Sequence, residues 1–292
     1  MHLTVLSRSA SLHTSRRLIE AGRAQGHRVR VIDPLEVGMG LGGEAPAVYW
    51  RRRAFPRTDA VLPRFGHATQ RYGLSVLKQL ELLGIPALNG AAALAASRDK
   101  MRSLQLLAAA GLPVPRTVMA SDPANLREMA RLVGGVPVLV KLLAADGKSG
   151  VMVCESLQSL EAALEAILGL GEDIVVQQYL RGARGRDLRV LVVGGRVAAA
   201  LRRRPARGRF SRTLRRGASF EAAEVPARHV EIAAEAARVF GLEVAAVDML
   251  DLKGGPLVFE VNGTPSIREA ESACGVDVAA LMVARAAELA RA

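Results

Sequence analysis

VAAVDMLDLKGGPLVFEVN, residues 244–262, is the stretch on which the fold turns. Two apolar runs, 244–252 and 257–262, are joined through Lys253-Gly254-Gly255, the composition of a short connection between antiparallel strands. A turn centred on Gly254 sets Asp248 directly opposite Glu260. Glu260 and Asn262 are two residues apart and therefore share a strand face, while Val247, Met249, Phe259 and Val261 are expected on the other. Three oxygen-bearing side chains then converge on one patch of sheet. Hard donors of this kind suit magnesium, which also takes phosphate oxygens and water. The alternation by itself serves a solvated strand face equally well.

Towards the N-terminus the pattern stays rich in strands. From Asp187 it reads strand, Gly194-Gly195 turn, strand, and a helix from Pro226 to Phe240 follows. Between them lies an arginine-dense stretch, Arg202 to Arg216, with eight arginines. Such a run is read either as solvated charge or as a recognition loop for carboxylates and phosphates, which the guanidinium fork matches. Residues 136–180 alternate strand (136–142), glycine-containing turn, strand (151–154), helix (157–168) and strand (174–180), a small lobe suited to act as a lid. Ser97 is expected to cap a helix running to Ala110 and ended by Gly111. The chain opens with strand 2–6, helix 16–25 and strand 27–32, continues with strands 60–62 and 85–88 around a helix at 74–83, and closes with a helix at 277–290. The opening βαβ unit lacks Gly-x-Gly-x-x-Gly, so no dinucleotide site is expected there. These elements predict a mixed α/β and α+β chain in three units, 1–96, 97–180 and 181–292.

A length of 292 residues suits several lobes around one cleft. Half the residues are apolar, yet no uncharged run reaches the roughly 18 residues of a membrane span. Because the segment 1–17 reaches Arg8 after a short apolar run, it does not read as a signal peptide, and a cytoplasmic location is expected. Cys154 and Cys274 have no partners at metal-ligand spacing, and Cys154 reads as a reduced core thiol. His67 and His229 are expected at the surface. A net charge of +12 attracts acidic partners, or simply reflects arginine used for solubility. Aromatic residues are only 3% of the chain, too few to stack many bases, so nucleic acid is secondary to an acidic peptide or a polyphosphate.

Two lysines extend the patch of acids into a nucleotide-phosphate site. Lys100 opens a helix and Lys141 ends an apolar strand, positions from which an ammonium reaches phosphate oxygens. The segment Gly147-Lys148-Ser149 has the tail of a P-loop, but Leu142 stands where the first glycine belongs and a strand follows, so that reading fails. A flap laying backbone N–H groups over phosphates remains.

Taken together, the strings SRDKMRSLQLLA, GGVPVLVKL, VVQQYL, RDLRVLVVG, VDML with FEVN, and GVDVAA resemble RimK-type ATP-grasp ligases along almost the whole chain. RimK proteins add L-glutamates to the C-terminus of small-subunit ribosomal protein six. The resemblance implies a pre-ATP-grasp lobe, a central lid and a C-terminal lobe, with ATP between the last two. It further implies that Lys100 and Lys141 contact phosphates and that Gln178 and Tyr179 form the adenine hinge. Asp187 would bind on the ribose side, and Ser211, Arg212 and Thr213 would also contact ATP. Asp248, Glu260 and Asn262 would hold two magnesium or manganese ions, and Arg203 would face the transferred phosphoryl group. A homotetramer is implied as well. The implied acceptor is an acidic C-terminal peptide or ribosomal protein, joined to L-glutamate through an acyl phosphate. A small metabolite or carrier protein as acceptor, or a non-catalytic nucleotide- or RNA-binding regulator, are the alternatives. The chain departs from the family pattern at Gln178 (glutamate in the family), at Lys148 (glycine), at Pro265-Ser266 (Pro-Gly) and at Ser211-Arg212-Thr213 (Arg-Ser-Asn).

Overall fold

The structure, a computed structural model, describes residues 1–42, 47–120, 125–142, 150–168, 174–182, 186–204 and 219–292. The chain begins with β1 (His2–Leu6), α1 (His13–Ala24), β2 (Arg28–Ile32), β3 (Val37–Gly40), β4 (Ala47–Trp50), β5 (Arg53–Ala54), β6 (Ala60–Pro63), α2 (Gln70–Leu82) and α3 (Ala91–Arg98). Strands β2, β1 and β6 form a parallel sheet in that order, while β3, β4 and β5 form a small antiparallel one. Next come α4 (Lys100–Ala109), β7 (Thr117–Ala120), α5 (Leu126–Leu132), β8 (Val138–Leu142), β9 (Val151–Cys154), α6 (Leu157–Leu168) and β10 (Ile174–Gln178), whose strands pair antiparallel as β7-β10-β8-β9. Last are β11 (Asp187–Val193), β12 (Arg196–Arg204), β13 (Ser219–Ala222), α7 (Ala227–Phe240), β14 (Val244–Leu252), β15 (Gly255–Asn262), α8 (Arg268–Cys274) and α9 (Val278–Leu289). Their strands build an antiparallel sheet ordered β13-β12-β11-β14-β15. Among the described residues no helix is long and apolar enough to cross a membrane.

Strand β14 shows how this last sheet is held. It is buried through Leu250, and its two faces feed two different cores. Ala245, Val247 and Met249 join a core with Ala233, Ala236 and Ala237 of α7 and Leu94 of α3. Val244 and Ala246 join another with α1, α8 and α9. Both cores include residues of the N-terminal strands, Leu6 and Val61 in one and Leu3 and Val5 in the other. The four-stranded sheet instead packs Val138, Val140 and Val176 against its own helices α5 and α6. Cys154 is buried in that third core and unpaired, the environment expected of it.

The hairpins follow the glycines. In the β11–β12 turn, Val193 pairs with Arg196 and the two loop residues, Gly194 and Gly195, have φ of 57° and 75°, a backbone that favours glycine at both positions. Between β14 and β15, Leu252 pairs with Gly255, so the turn is Lys253-Gly254 rather than one centred on Gly254. That shift alone would move Asp248 off Glu260. A bulge between Asp248 and Met249 restores the pairing: Met249 faces Val258, while Asp248 faces Glu260. The bulge also changes which side chain enters the core. Val258 and Val261 join it and Phe259 does not, correcting the expected alternation.

Other boundaries differ for identifiable reasons. Ser97 is not a cap; it is buried and donates its hydroxyl to Leu94 O. The helix breaks one residue after Arg98, and Asp99 caps α4 by accepting from Arg102 N at 2.9 Å. Residues 85–88 give an isolated parallel bridge, Val61 to Ala87, in place of a strand. His229 is buried, not at the surface, with Nε2 3.2 Å from Asp251 Oδ1; His67 lies outside the residues whose side chains are described.

Asn89, which is 1% exposed, ties the N-terminal part of the chain to the last sheet. Its Nδ2 donates to Val244 O and Gly263 O, both at 2.7 Å, and its Oδ1 accepts from Val244 N at 2.8 Å. Asn89→Ala leaves three buried backbone groups unpaired, at about 1 kcal/mol or more each, and should lower stability by about 3 kcal/mol. Urea unfolding checks this, and a loss below about 1 kcal/mol would contradict the bracing role.

Candidate functional site: a carboxylate patch on the five-stranded sheet

Asp248, Glu260 and Asn262 do share a face, the one that Val244 and Ala246 present to α8 and α9. Asp248 is 7% exposed and is gripped by Arg189, the residue opposite it on β11. Arg189 Nε donates to Asp248 Oδ1 and Nη2 to Oδ2, both at 2.7 Å, a two-pronged pair. Burial works against the guanidinium charge. The hydrogen bonds and charge of Asp248, with Glu260 and Glu269 adding, outweigh it and hold the Arg189 pKa above the usual arginine range. Its guanidinium also lies 5.7 Å from the Phe220 ring centroid. Arg189 is thus the counter-charge around which three carboxylates gather, a role the sequence reading did not assign to it.

The loop leaving β15 is held just as closely. Asn262 Oδ1 accepts from Thr264 N at 2.8 Å, which turns the chain. A Cβ on Gly263 would lie 2.7 Å from Leu94 Cδ2 and 2.8 Å from Leu242 Cδ2, so any larger residue must displace two buried leucine methyls. Two arginines clamp the next residues. Arg98 Nη2 donates to Phe65 O at 2.6 Å and Thr264 Oγ1 at 3.1 Å, and Arg64 Nη2 donates to Pro265 O at 2.6 Å.

Asp187 and Arg203 belong to the same sheet face as the patch. Asp187 begins β11, two residues before Arg189, and Arg203 continues the face of β12 that buries Ala199 and Leu201, opposite Phe220 on β13. Arg202 points to the other side, 3.2 Å from Asp251 Oδ2, where His229 also contacts that carboxylate. Lys141 lies on β8 opposite Val175, on the sheet face away from α5 and α6. Gln178 ends β10, with its N–H donated to Arg116 O at 2.9 Å, and Tyr179 starts the passage into the last sheet. Lys100 is the first residue of α4. Ser211, Arg212 and Thr213, most of the arginine run and the flap with Lys148 lie outside the described residues.

As a cation site the donor set is lean, with two carboxylates and an amide. Among the described residues no group of three His, Cys, Asp or Glu side chains clusters as a metal site. Carboxylate and amide oxygens keep further lone pairs after accepting from Arg189 and Thr264. The set therefore fits a hard cation that takes its remaining ligands from phosphate and water.

Known proteins share this organisation. A family profile described as the RimK-like ATP-grasp domain matches residues 97–286, and one described as the RimK PreATP-grasp domain matches residues 1–94. A protein of Serratia proteamaculans named "Probable alpha-L-glutamate ligase" is 42% identical over 283 residues, covering 97% of this chain and 94% of its own length. One of the same name from Methanococcoides burtonii is 39% identical with the same coverage. Among solved structures, the ATP-grasp ligase PsnB complexed with minimal precursor superposes with a TM-score of 0.77 at 24% identity, covering 99% of this chain and 98% of that one. A RimK domain ATP-grasp protein from Sphaerobacter thermophilus gives 0.75 at 25% identity, covering 98% and 99%.

Proposed function

The chain belongs to the RimK family of ATP-grasp ligases, and from that premise we propose that it joins L-glutamate by an amide bond to the C-terminal carboxylate of an acidic peptide or protein, consuming ATP. The observation that carries the reading is the patch of Asp248, Glu260 and Asn262 on one sheet face, with Arg189 as its counter-charge. The names of the relatives support glutamate as the amino acid, and a net charge of +12 supports an acidic acceptor, with a small-subunit ribosomal protein the first to test.

Three units, 1–96, 97–180 and 181–292, would form the cleft, and the separate core of the four-stranded sheet suits the middle one to close as a lid. Lys100 and Lys141 would contact phosphates, Gln178 and Tyr179 the adenine, Asp187 the ribose, and Ser211, Arg212 and Thr213 further atoms of ATP. Asp248, Glu260 and Asn262 would hold two magnesium or manganese ions. When bound, such ions neutralise charge on the phosphoryl oxygens. Arg203, on the same face, adds a fixed positive charge where the phosphoryl group moves. An acceptor carboxylate oxygen attacks the γ-phosphorus, ADP leaves, and an acyl phosphate results. The amine of glutamate, having lost a proton, attacks the acyl carbon; inorganic phosphate leaves and the amide remains. Glutamine at 178 keeps a carbonyl to accept from the adenine amino group, so ATP affinity is expected to weaken and not to vanish.

The test measures ADP release with magnesium and L-glutamate, with and without an acidic-tailed ribosomal protein, followed by intact mass of that protein. A ladder of glutamyl additions is the expected result. ADP release stimulated equally by neutral and acidic C-terminal peptides would overturn the acidic acceptor, and no ADP with any acceptor would overturn the ligase.

A further inference from the structure

One edge of the N-terminal part of the chain concentrates arginines that have no carboxylate to face. Strand β2 is the edge of its parallel sheet, and Arg28 and Arg30, two residues apart, project from one face of it, both exposed. Arg30 reaches the small antiparallel sheet, where its guanidinium lies 5.6 Å from the Trp50 ring centroid. Trp50 ends β4, and Arg51, Arg52 and Arg53 follow it around the exposed tip of the β4–β5 hairpin. Arg51 lies against the same ring at 5.2 Å and forms a two-pronged pair with Glu36, Nε to Oε2 at 2.9 Å and Nη2 to Oε1 at 2.8 Å. The two sheets are thereby joined into one basic ridge.

Its tip is built against backbone preference. Trp50 pairs with Arg53, so the loop is Arg51-Arg52, and their φ values are 49° and 65°. A two-residue turn of this kind takes asparagine and glycine by default, since a Cβ crowds the backbone when φ is positive. Among the described residues these two arginines are the only non-glycine residues with positive φ. Charge is kept at this tip despite the strain, and strain of this kind collects at sites that bind or switch. Nothing described nearby neutralises the ridge. Between residues 28 and 60, Asp33 pairs with Arg8, Glu36 with Arg51 and Asp59 with Arg57. Arg28, Arg30, Arg52 and Arg53 enter no ion pair among the described residues.

The make-up of the surface selects the partner. A folded protein partner needs an apolar centre, and the ridge has none. Val37 and Val48 are buried, Arg30 and Arg51 lie against the Trp50 ring, and Tyr49 points from the other face of β4. What remains is a run of guanidinium forks, suited to successive phosphates. We infer that this ridge docks the phosphodiester backbone of a nucleic acid and reads no bases. The scarcity of aromatic residues disfavours base stacking and does not bear on phosphate contacts. This goes beyond the ligase reading and does not depend on it.

Fluorescence anisotropy with a labelled duplex of roughly 20 base pairs, made as RNA and as DNA, tests it over about 50–200 mM salt. The wild type should bind at low salt, and duplexes of unrelated sequence should bind within about threefold of one another. Tighter binding of either the RNA or the DNA supports the ridge and names its source. Arg30→Gln, Arg52→Gly and Arg53→Gln together should weaken binding at least tenfold and lower the salt slope by about 2 to 3, as three lost phosphate contacts require. Glycine relieves the strained turn, so the thermal midpoint should not fall. Arg127→Gln, Arg196→Gln and Arg238→Gln, at exposed positions elsewhere with the same loss of charge, should leave affinity within about twofold. Equal weakening by the two triple variants would assign binding to net charge alone and overturn the ridge, as would a wild type that binds neither duplex at about 50 mM salt. Poly-L-glutamate that binds more tightly than either duplex, and loses that affinity in the ridge variant, would overturn it in favour of an acidic protein tail.

Discussion

Glu260→Ala is expected to lower magnesium-dependent ADP release by about a thousandfold or more, while circular dichroism and gel filtration stay those of the wild type. Glu260 supplies one of only two carboxylates in the proposed cation site and stands opposite Asp248 across the hairpin. Losing it removes charge neutralisation from the phosphoryl oxygens, an effect of several kcal/mol, and each 1.36 kcal/mol is tenfold in rate. The side chain is half-buried at a sheet face and fills no core, so the fold should tolerate alanine. The same change must also abolish the glutamyl ladder on the acceptor. ADP release within tenfold of wild type would move the cation site away from this patch and remove the central support of the ligase mechanism.

Why the patch was legible, and why Arg189 was not, comes down to what a strand pattern encodes. Two apolar runs around a glycine turn announce a hairpin, and period-two alternation places Glu260 beside Asn262 whatever the turn. The pairing of Asp248 with Glu260 survived because two departures cancel: a turn one residue shorter than expected and a bulge of one residue. Nothing in the residue types near Met249 signals that bulge, so strict alternation puts Phe259 on the face opposite the patch, where the structure buries Val258. Arg189 did carry a signal. It interrupts the apolar run of β11, and a charge inside a buried strand needs a partner on a neighbouring one.

His229 carried a signal too, since it falls on the stripe of Ile232, Ala233, Ala236, Ala237 and Phe240 that α7 buries. Asn89 and the Arg64–Arg98 clamp could not be found from periodicity. Each bonds to groups far along the chain, backbone at Val244, Gly263 or Pro265 and the hydroxyl of Thr264, and such partners exist only once the sheets are packed. The RimK-type resemblance runs along almost the whole chain, and the family profiles match residues 1–94 and 97–286. Position by position it implies the roles proposed for Gln178, Tyr179 and Asp187, which strand patterns do not encode.

Arg189→Met offers the sharpest test of how the patch is balanced. Methionine keeps much of the side-chain volume and removes the charge, so Asp248, nearly sealed from solvent, loses both of its Arg189 hydrogen bonds while Glu260 and Glu269 lose their counter-charge. Removing one partner of a buried pair costs about 3–5 kcal/mol, and a drop of that size is expected in urea unfolding without divalent cations. A cation bound at the patch supplies positive charge where the guanidinium has been lost, and a ligand stabilises the state that binds it. Magnesium should therefore recover more stability in Arg189→Met than it adds to the wild type. Equal stabilisation of the two proteins would place the cation elsewhere, and a loss below about 1 kcal/mol without metal would mean that Asp248 does not depend on Arg189 for its charge.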